Sequence, residues 1–286
     1  MVVTKAEIAR ICISAFGEHF MIRIGVGQTQ PNFGDKVWNM EQTRQLLQAA
    51  DHESVDVVVL PELLNSGYVF RSKNEATGLS EEIPAGPFSK LLQASSKKGR
   101  LIVSGICQKQ GNLVYNSAAA FANGALLAVY QKLHLFDHES EWFTPGGKEP
   151  PVVEFHGYRF GIMVCFDWAF PEVARILALK SAQVILHPAN LVLPYCQEAM
   201  RTRSIENRVF TATANRTGLE RDVQFSGMSQ VTSPKGEVLL RRGVTDQGLF
   251  WVDIEPRDSD NKMITARNHV LKDRRPETYT LLTRPS

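Results

Sequence analysis

The sequence predicts an α/β protein arranged as a four-layer α-β-β-α sandwich. Three observations carry that prediction. Strand-turn-strand-helix units recur in both halves of the chain, so two related sheets each need helices on one face and a partner on the other. The β-branched run Val55-Asp56-Val57-Val58-Val59-Leu60 reads as a strand buried on both faces. Hairpin turns are frequent, at Gln110-Gly111-Asn112, Asn123-Gly124 and His156-Gly157, which disfavours the fallback of a doubly wound open sheet.

The elements follow in order. Ile22 to Gln28 is the first convincing strand, and Asp35 caps a helix in which Val37, Met40, Leu47 and Ala50 recur at helical spacing. After the β-branched run comes a loop rich in Gly, Pro and Ser, then a helix near Ser89 to Lys98. Strands are expected at Leu101 to Lys109, Leu113 to Ala122 and Leu126 to Gln131. The second half repeats the pattern with strands Val152 to Phe155 and Tyr158 to Cys165, a helix from Pro171 to Lys180, and a strand from Gln183 to Leu186. A helix over Gln197 to Arg208 precedes strands at Phe210 to Asn215, Phe225 to Ser233, Glu237 to Arg241 and Leu249 to Ile254.

Bulk properties narrow the class. The chain has 286 residues, 43% hydrophobic and 22% charged, with a net charge of +2. That length suits one large domain, expected over residues 21–286, with residues 1–20 as an N-terminal extension. A charge so close to balance leaves no electrostatic footprint for nucleic acid or an acidic membrane, and no apolar run approaches a membrane span. Four cysteines at irregular spacing match neither a zinc site nor a disulfide framework, so reduced thiols in a cytoplasmic protein are expected, with no metal and no cofactor.

The chemistry centres on Cys165. It ends the apolar run Ile162-Met163-Val164, and Phe170-Pro171-Glu172 opens the next helix. A thiol on so sharp a bend can project from the strand end, while N–H groups of the turn face whatever it attacks. A buried, inert cysteine is the alternative reading. Two other strand ends carry charge: Glu62, in Leu60-Pro61-Glu62-Leu63, and Lys132, in Gln131-Lys132-Leu133-His134. Burial raises the pKa of such a carboxylate toward the range of general acid–base work, and such a lysine stabilises negative charge. His187 reads as a core histidine with its hydrogen bonds satisfied, since no second ligand stands at metal spacing.

With these residues in view, the chain resembles the nitrilase, or carbon–nitrogen hydrolase, superfamily, closest in feel to its archaeal nitrilase-like amidohydrolases. The resemblance runs from about Met21 to Tyr279 and rests on Pro61-Glu62-Leu63 with Gly67-Tyr68, Gln131-Lys132-Leu133-His134-Leu135, and Cys165-Phe166-Asp167 with Phe170-Pro171-Glu172. Arg203 to Arg208, Gly227-Met228-Ser229 and Arg274 to Tyr279 support it. It implies an α-β-β-α sandwich that dimerises or forms a higher homo-oligomer. It also implies a Glu62-Lys132-Cys165 triad, with Lys132 and the Phe166 N–H holding an oxyanion and the Lys132 ammonium favouring the Cys165 thiolate. A second glutamate stands in many relatives six positions before a Pro-Gly pair, which points to Glu139, with Glu141 the runner-up.

Tyr68, Phe166, Trp168 and Asn190 are the expected substrate contacts. Phe166-Asp167 after the cysteine departs from the Trp-Glu of well-known nitrilases, and Trp168-Ala169 supply no cation to grip a carboxylate. An amidase acting on small, largely apolar amides is therefore expected first. An aliphatic nitrilase, an N-carbamoyl amine amidohydrolase and a non-enzymatic scaffold follow.

Overall fold

The computed structural model describes residues 11–14 and 17–284. Of the expected extension, residues 1–10 and 15–16 lie outside the described residues; Ile11–Ser14 and Gly17–Phe20 pair as an antiparallel ribbon that joins neither large sheet.

The strands of the two large sheets are β1 (Ile22–Gln28), β2 (Val57–Val59), β3 (Leu101–Gln110), β4 (Leu113–Ala122), β5 (Ala125–Gln131), β6 (Val152–Phe155), β7 (Tyr158–Ile162), β8 (Val184–Ala189), β9 (Phe210–Asn215), β10 (Gln230–Thr232), β11 (Val238–Arg241) and β12 (Gly248–Ile254). The α-helices among the described residues are α1 (Lys36–His52), α2 (Lys73–Leu79), α3 (Pro87–Ser96), α4 (Glu139–Trp142), α5 (Pro171–Leu179) and α6 (Cys196–Asn207). One six-stranded sheet has the order β12-β1-β2-β3-β4-β5 and the other β11-β10-β9-β8-β7-β6. In each, three central strands are parallel and the flanking ones antiparallel.

The sheets face each other, and side-chain alternation shows why. On β2, Val57 and Val59 join the core between the sheets, with Ile24, Val26, Ile162, Leu186 and Ala212, while Val58 turns to the helix side. There Leu46, Leu47 and Ala50 of α1 and Phe88 and Leu92 of α3 cover the first sheet. Val173, Leu177 and Met200 of α5 and α6 cover the second. Four layers result, as the sequence predicts.

Four local expectations need correction. The strand in the β-branched run is shorter than expected, Val57–Val59; Pro61 has no N–H to donate, and the chain beyond continues irregularly alongside β3. Val37 is 79% exposed; the first turn of α1 is fastened instead by Asn39, which donates to Asn32 O (2.9 Å) and accepts from its N–H (2.8 Å). The expected strand Phe225 to Ser233 is two, Val223–Ser226 and β10, split where Gly227 and Met228 adopt positive φ (57° and 54°). The loop after Leu60 contains α2, capped by the Ser72 hydroxyl.

Candidate active site

Three strand ends converge on one buried cluster. Beyond β2 the backbone from Leu60 to Leu64 runs along β3: Leu60 N–H donates to Val103 O (2.8 Å), Gly105 N–H to Pro61 O (3.0 Å) and Leu64 N–H to Gly105 O (3.1 Å). Gly105 makes this approach possible, since a Cβ there would stand 2.3 Å from Glu62 Cα. Beyond β5, Lys132 N–H donates to Asn116 O and Lys132 O accepts from Gly146 N–H, both at 2.8 Å. Glu139 opens the short helix α4.

Lys132 Nζ lies 2.8 Å from Glu62 Oε1 and 2.8 and 2.9 Å from the two oxygens of Glu139. Asn116 Nδ2 donates to Glu62 Oε1 at 2.7 Å and to Glu139 Oε2 at 3.5 Å. Glu62 Oε2 is buried and has no hydrogen-bond partner among the described residues. Burial raises the Glu62 pKa to about 7, against the opposing pull of the Lys132 ammonium. For Lys132 the two carboxylates outweigh burial and push its pKa above the usual lysine range. Glu141, the alternative second acid, is exposed and paired with His138, away from Lys132.

Cys165 adopts φ +42°, in the left-handed region that favours glycine, at the bend after β7. Buried Asp167 stabilises this bend. Its carboxylate accepts from Val164 N–H (2.9 Å), Tyr130 O–H (2.8 Å) and the ring of His134 (2.8 Å), so the cysteine turn is tied to the strand that delivers Lys132. His187 Nε2–H donates to Cys165 O at 2.9 Å and its Nδ1 accepts from the Thr213 hydroxyl at 3.0 Å. Both ring nitrogens are thus satisfied, and burial lowers the pKa of this histidine to about 4.

The Cys165 thiol donates weakly to Asn190 O at 3.8 Å. The Lys132 ammonium pulls toward the thiolate, yet the resting pKa of Cys165 is held well above the usual thiol value. Burial and the negative field of Glu62 outweigh the Lys132 ammonium, so the resting form is the thiol.

The expected contact residues divide. Cys165, Phe166, Trp168 and Asn190 border a small depression with Phe136 and Val192. The Asn190 side chain donates to Glu62 O at 2.8 Å, so it braces the carboxylate-bearing turn. Tyr68 lines an adjoining cavity of about 160 Å³ together with Phe136, Glu139, Trp142 and Val192, and its hydroxyl donates to Glu139 Oε1 at 2.7 Å. Sequence reasoning missed Asn116, Asp167 and Gly105. An asparagine inside an otherwise apolar strand and an acid between two aromatics were the available signals for the first two.

The fold thus brings Glu62, Lys132 and Cys165 to neighbouring strand ends of two facing sheets. The Carbon-nitrogen hydrolase family profile matches residues 23–260. A nitrilase of Pyrococcus abyssi is 38% identical over 260 residues, covering 91% of this chain and 99% of its own. An omega-amidase of Danio rerio is 30% identical over 240 residues, covering 77% and 83%. Among solved structures, a glutamate-to-glutamine variant of an amidase from Nesterenkonia sp. AN1 superposes with a TM-score of 0.77 at 26% identity, over 94% of this chain and 99% of that one. In that structure the acetamide moiety of fluoroacetamide is covalently added at the active-site cysteine. The chain belongs to the carbon–nitrogen hydrolase family of the nitrilase superfamily.

Proposed function

We propose that this carbon–nitrogen hydrolase is an amidase for small, largely apolar amides, working through a Glu62-Lys132-Cys165 triad with Glu139 as a second acid. The observation that carries the reading is the division of labour on the Glu62 carboxylate. Oε1 is occupied by Lys132 and Asn116, which leaves Oε2 to accept and return a proton.

Glu62 Oε2 takes the Cys165 Sγ proton as Sγ attacks the amide carbonyl carbon. The C–S bond forms and the carbonyl electron pair moves to oxygen, where Lys132 Nζ and the Phe166 N–H hold it. One such donor is worth on the order of 3 kcal/mol in the transition state. Protonated Glu62 then passes its proton to the amide nitrogen, the C–N bond breaks and ammonia or amine departs, leaving a thioester. Glu62 next takes a proton from water, whose oxygen attacks the thioester. The C–S bond breaks, Glu62 returns its proton to the sulfur, and the carboxylic acid is released, ionising to carboxylate by giving its proton to the ammonia or amine in solution. Glu139 anchors the Lys132 ammonium together with Glu62, keeping it charged and in place.

The substrate assignment rests on the lining. Neither the depression beside Cys165 nor the adjoining cavity is bordered by lysine or arginine, and both are walled mainly by Phe, Trp, Leu and Val. A substrate carboxylate would meet no lysine or arginine there and would face Asp137 and Glu139. Nitrile hydrolysis is the second reading, favoured by the similarity to the P. abyssi nitrilase; N-carbamoyl amines come third. Ammonia release from a panel of amides, nitriles and carbamoyl compounds separates them, and turnover of nitriles without amides would sink the first reading. Cys165→Ala should abolish turnover while leaving the melting profile intact. A homodimer and a cytoplasmic site belong to the same proposal. Leu179, Tyr195 and Ile205, on or just before α5 and α6, are exposed apolar residues that support a partner face, which light scattering tests.

A further inference from the structure

Arg216 is the largest fully buried side chain among the described residues, and the mechanism gives it no role. Its guanidinium pairs with Glu220 Oε2, and both side chains are almost wholly excluded from solvent. Glu220 Oε1 accepts two backbone N–H groups, from Tyr68 at 2.7 Å and Val69 at 2.6 Å. The approach is close enough to require glycine beside it: Gly67 has φ +86°, and a Cβ there would lie 2.8 Å from Glu220 Oε2. The Arg216 guanidinium also covers the Phe225 ring at 4.0 Å, and Phe225 meets Tyr68 edge-on, with ring centroids 5.7 Å apart. On the next residue, Arg221 donates to Val69 O at 2.6 Å, so the Tyr68–Val69 segment is gripped through both its N–H groups and a carbonyl. At the far end of this arrangement the Tyr68 hydroxyl donates to Glu139 Oε1, the same oxygen that lies 2.8 Å from Lys132 Nζ.

We propose that the Arg216–Glu220 pair is a positioning device for the reaction: it fixes the Tyr68 backbone so that the Tyr68 hydroxyl orients Glu139, and through Glu139 the Lys132 ammonium. A carboxylate accepting two adjacent N–H groups sets the direction in which the Tyr68 side chain leaves the backbone. Without it, the hydroxyl loses its reach to Glu139. Lys132 then has freedom between the two acids, and misplacement of an oxyanion donor lowers the chemical step. The proposal rests on the role assigned to Lys132 above.

The test is a double-mutant cycle of Glu220→Ala and Tyr68→Phe, read as kcat and KM for the best amide substrate. Each single variant should lower kcat about tenfold. The double variant should fall no more than about twofold below the worse single, because both act through one hydroxyl. Multiplicative losses, or an unchanged kcat in Glu220→Ala, would overturn the proposal. Since Glu220→Ala leaves the Arg216 charge buried and unpaired, the paired change Arg216→Met with Glu220→Leu is made alongside it, removing both charges together. That variant should melt cooperatively and show the same kcat loss; full kcat in it would also overturn the proposal. Wild-type turnover and its loss in Cys165→Ala, read in the same assay, test the underlying triad separately.

Discussion

Lys132 Nζ stands 2.8 Å from Glu62 Oε1, with both side chains wholly excluded from solvent. An ion pair so buried is usually a weak contributor to stability, because desolvation offsets attraction. Here the geometry holds one carboxylate near neutrality and one ammonium firmly charged. That is the state a proton shuttle beside an oxyanion donor requires.

The pH dependence of kcat/KM follows from it. In the proposed mechanism Glu62 must be ionised in the free enzyme to accept the thiol proton, and its pKa is raised to about 7. Activity should therefore rise with pH through about 7, well above the range of an ordinary glutamate. Because the Lys132 pKa is raised, loss of its charge should not produce a decline anywhere below the usual lysine range. Initial rates at low substrate across pH 5 to 10 check this; an acidic limb near pH 4.5 would contradict it.

Asn116→Ala should move that limb upward. The Asn116 hydrogen bond to Glu62 Oε1 favours the ionised carboxylate, so its removal raises the Glu62 pKa further. A hydrogen bond to a charged group is worth about 1.5 kcal/mol or more, which corresponds to roughly one pH unit. The shift of the acidic midpoint in the kcat/KM profile is the readout. A midpoint unchanged from wild type would show that Asn116 does not tune the base.

Gly105→Ala tests the strand-end geometry. An added Cβ meets Glu62 Cα at 2.3 Å and Leu63 N at 2.5 Å, both backbone atoms that no side-chain rotation can move away. Overpacking of this kind costs about 1–3 kcal/mol and shifts the Glu62 turn. Chemical denaturation should report the lost stability, and kcat should fall more than the melting temperature alone explains. Normal turnover with normal stability would mean that the turn has room to relax.

His187→Gln should change stability in acid. The folded-state pKa of His187 is depressed from 6.5 to about 4, so the unfolded chain binds the proton first as pH falls. The contribution is fully present above pH 6.5 and is lost as pH falls from 6.5 to about 4. A shift of this size is worth about 3 kcal/mol. Glutamine, which does not titrate, should flatten the stability profile over that window. Urea melts at pH 7 and pH 4.5 would detect this, and equal losses in the two proteins would refute it.

Much of this was legible in the chain. Strand alternation and hairpin turns are local signals, and they place the twelve strands of the two facing sheets near their observed positions. Glu62, Lys132 and Cys165 were legible because each follows an apolar run whose end is visible as composition. The misses share a different cause. Val37 sits at a helical period but α1 docks its first turn through Asn39, a tertiary contact no period reveals. The expected strand to Ser233 breaks at two left-handed residues, one of them Met228, whose type does not announce that conformation.

Sequence alone determined the layered architecture, the identity of the three charged or nucleophilic strand ends and the family resemblance, because each is read from local patterns and from their order along the chain. Only the tertiary structure set Glu139 and Glu141 apart, placing the first against Lys132 and leaving the second at the surface with His138. It likewise decided that Asn190 braces the Glu62 turn, that Tyr68 meets Glu139 and that Cys165 rests as a thiol. Such outcomes depend on burial and on charges brought together across as many as 128 positions of chain, between Asn190 and Glu62. Local pattern carries no record of them, because desolvation and Coulomb energy are set by what the fold places nearby.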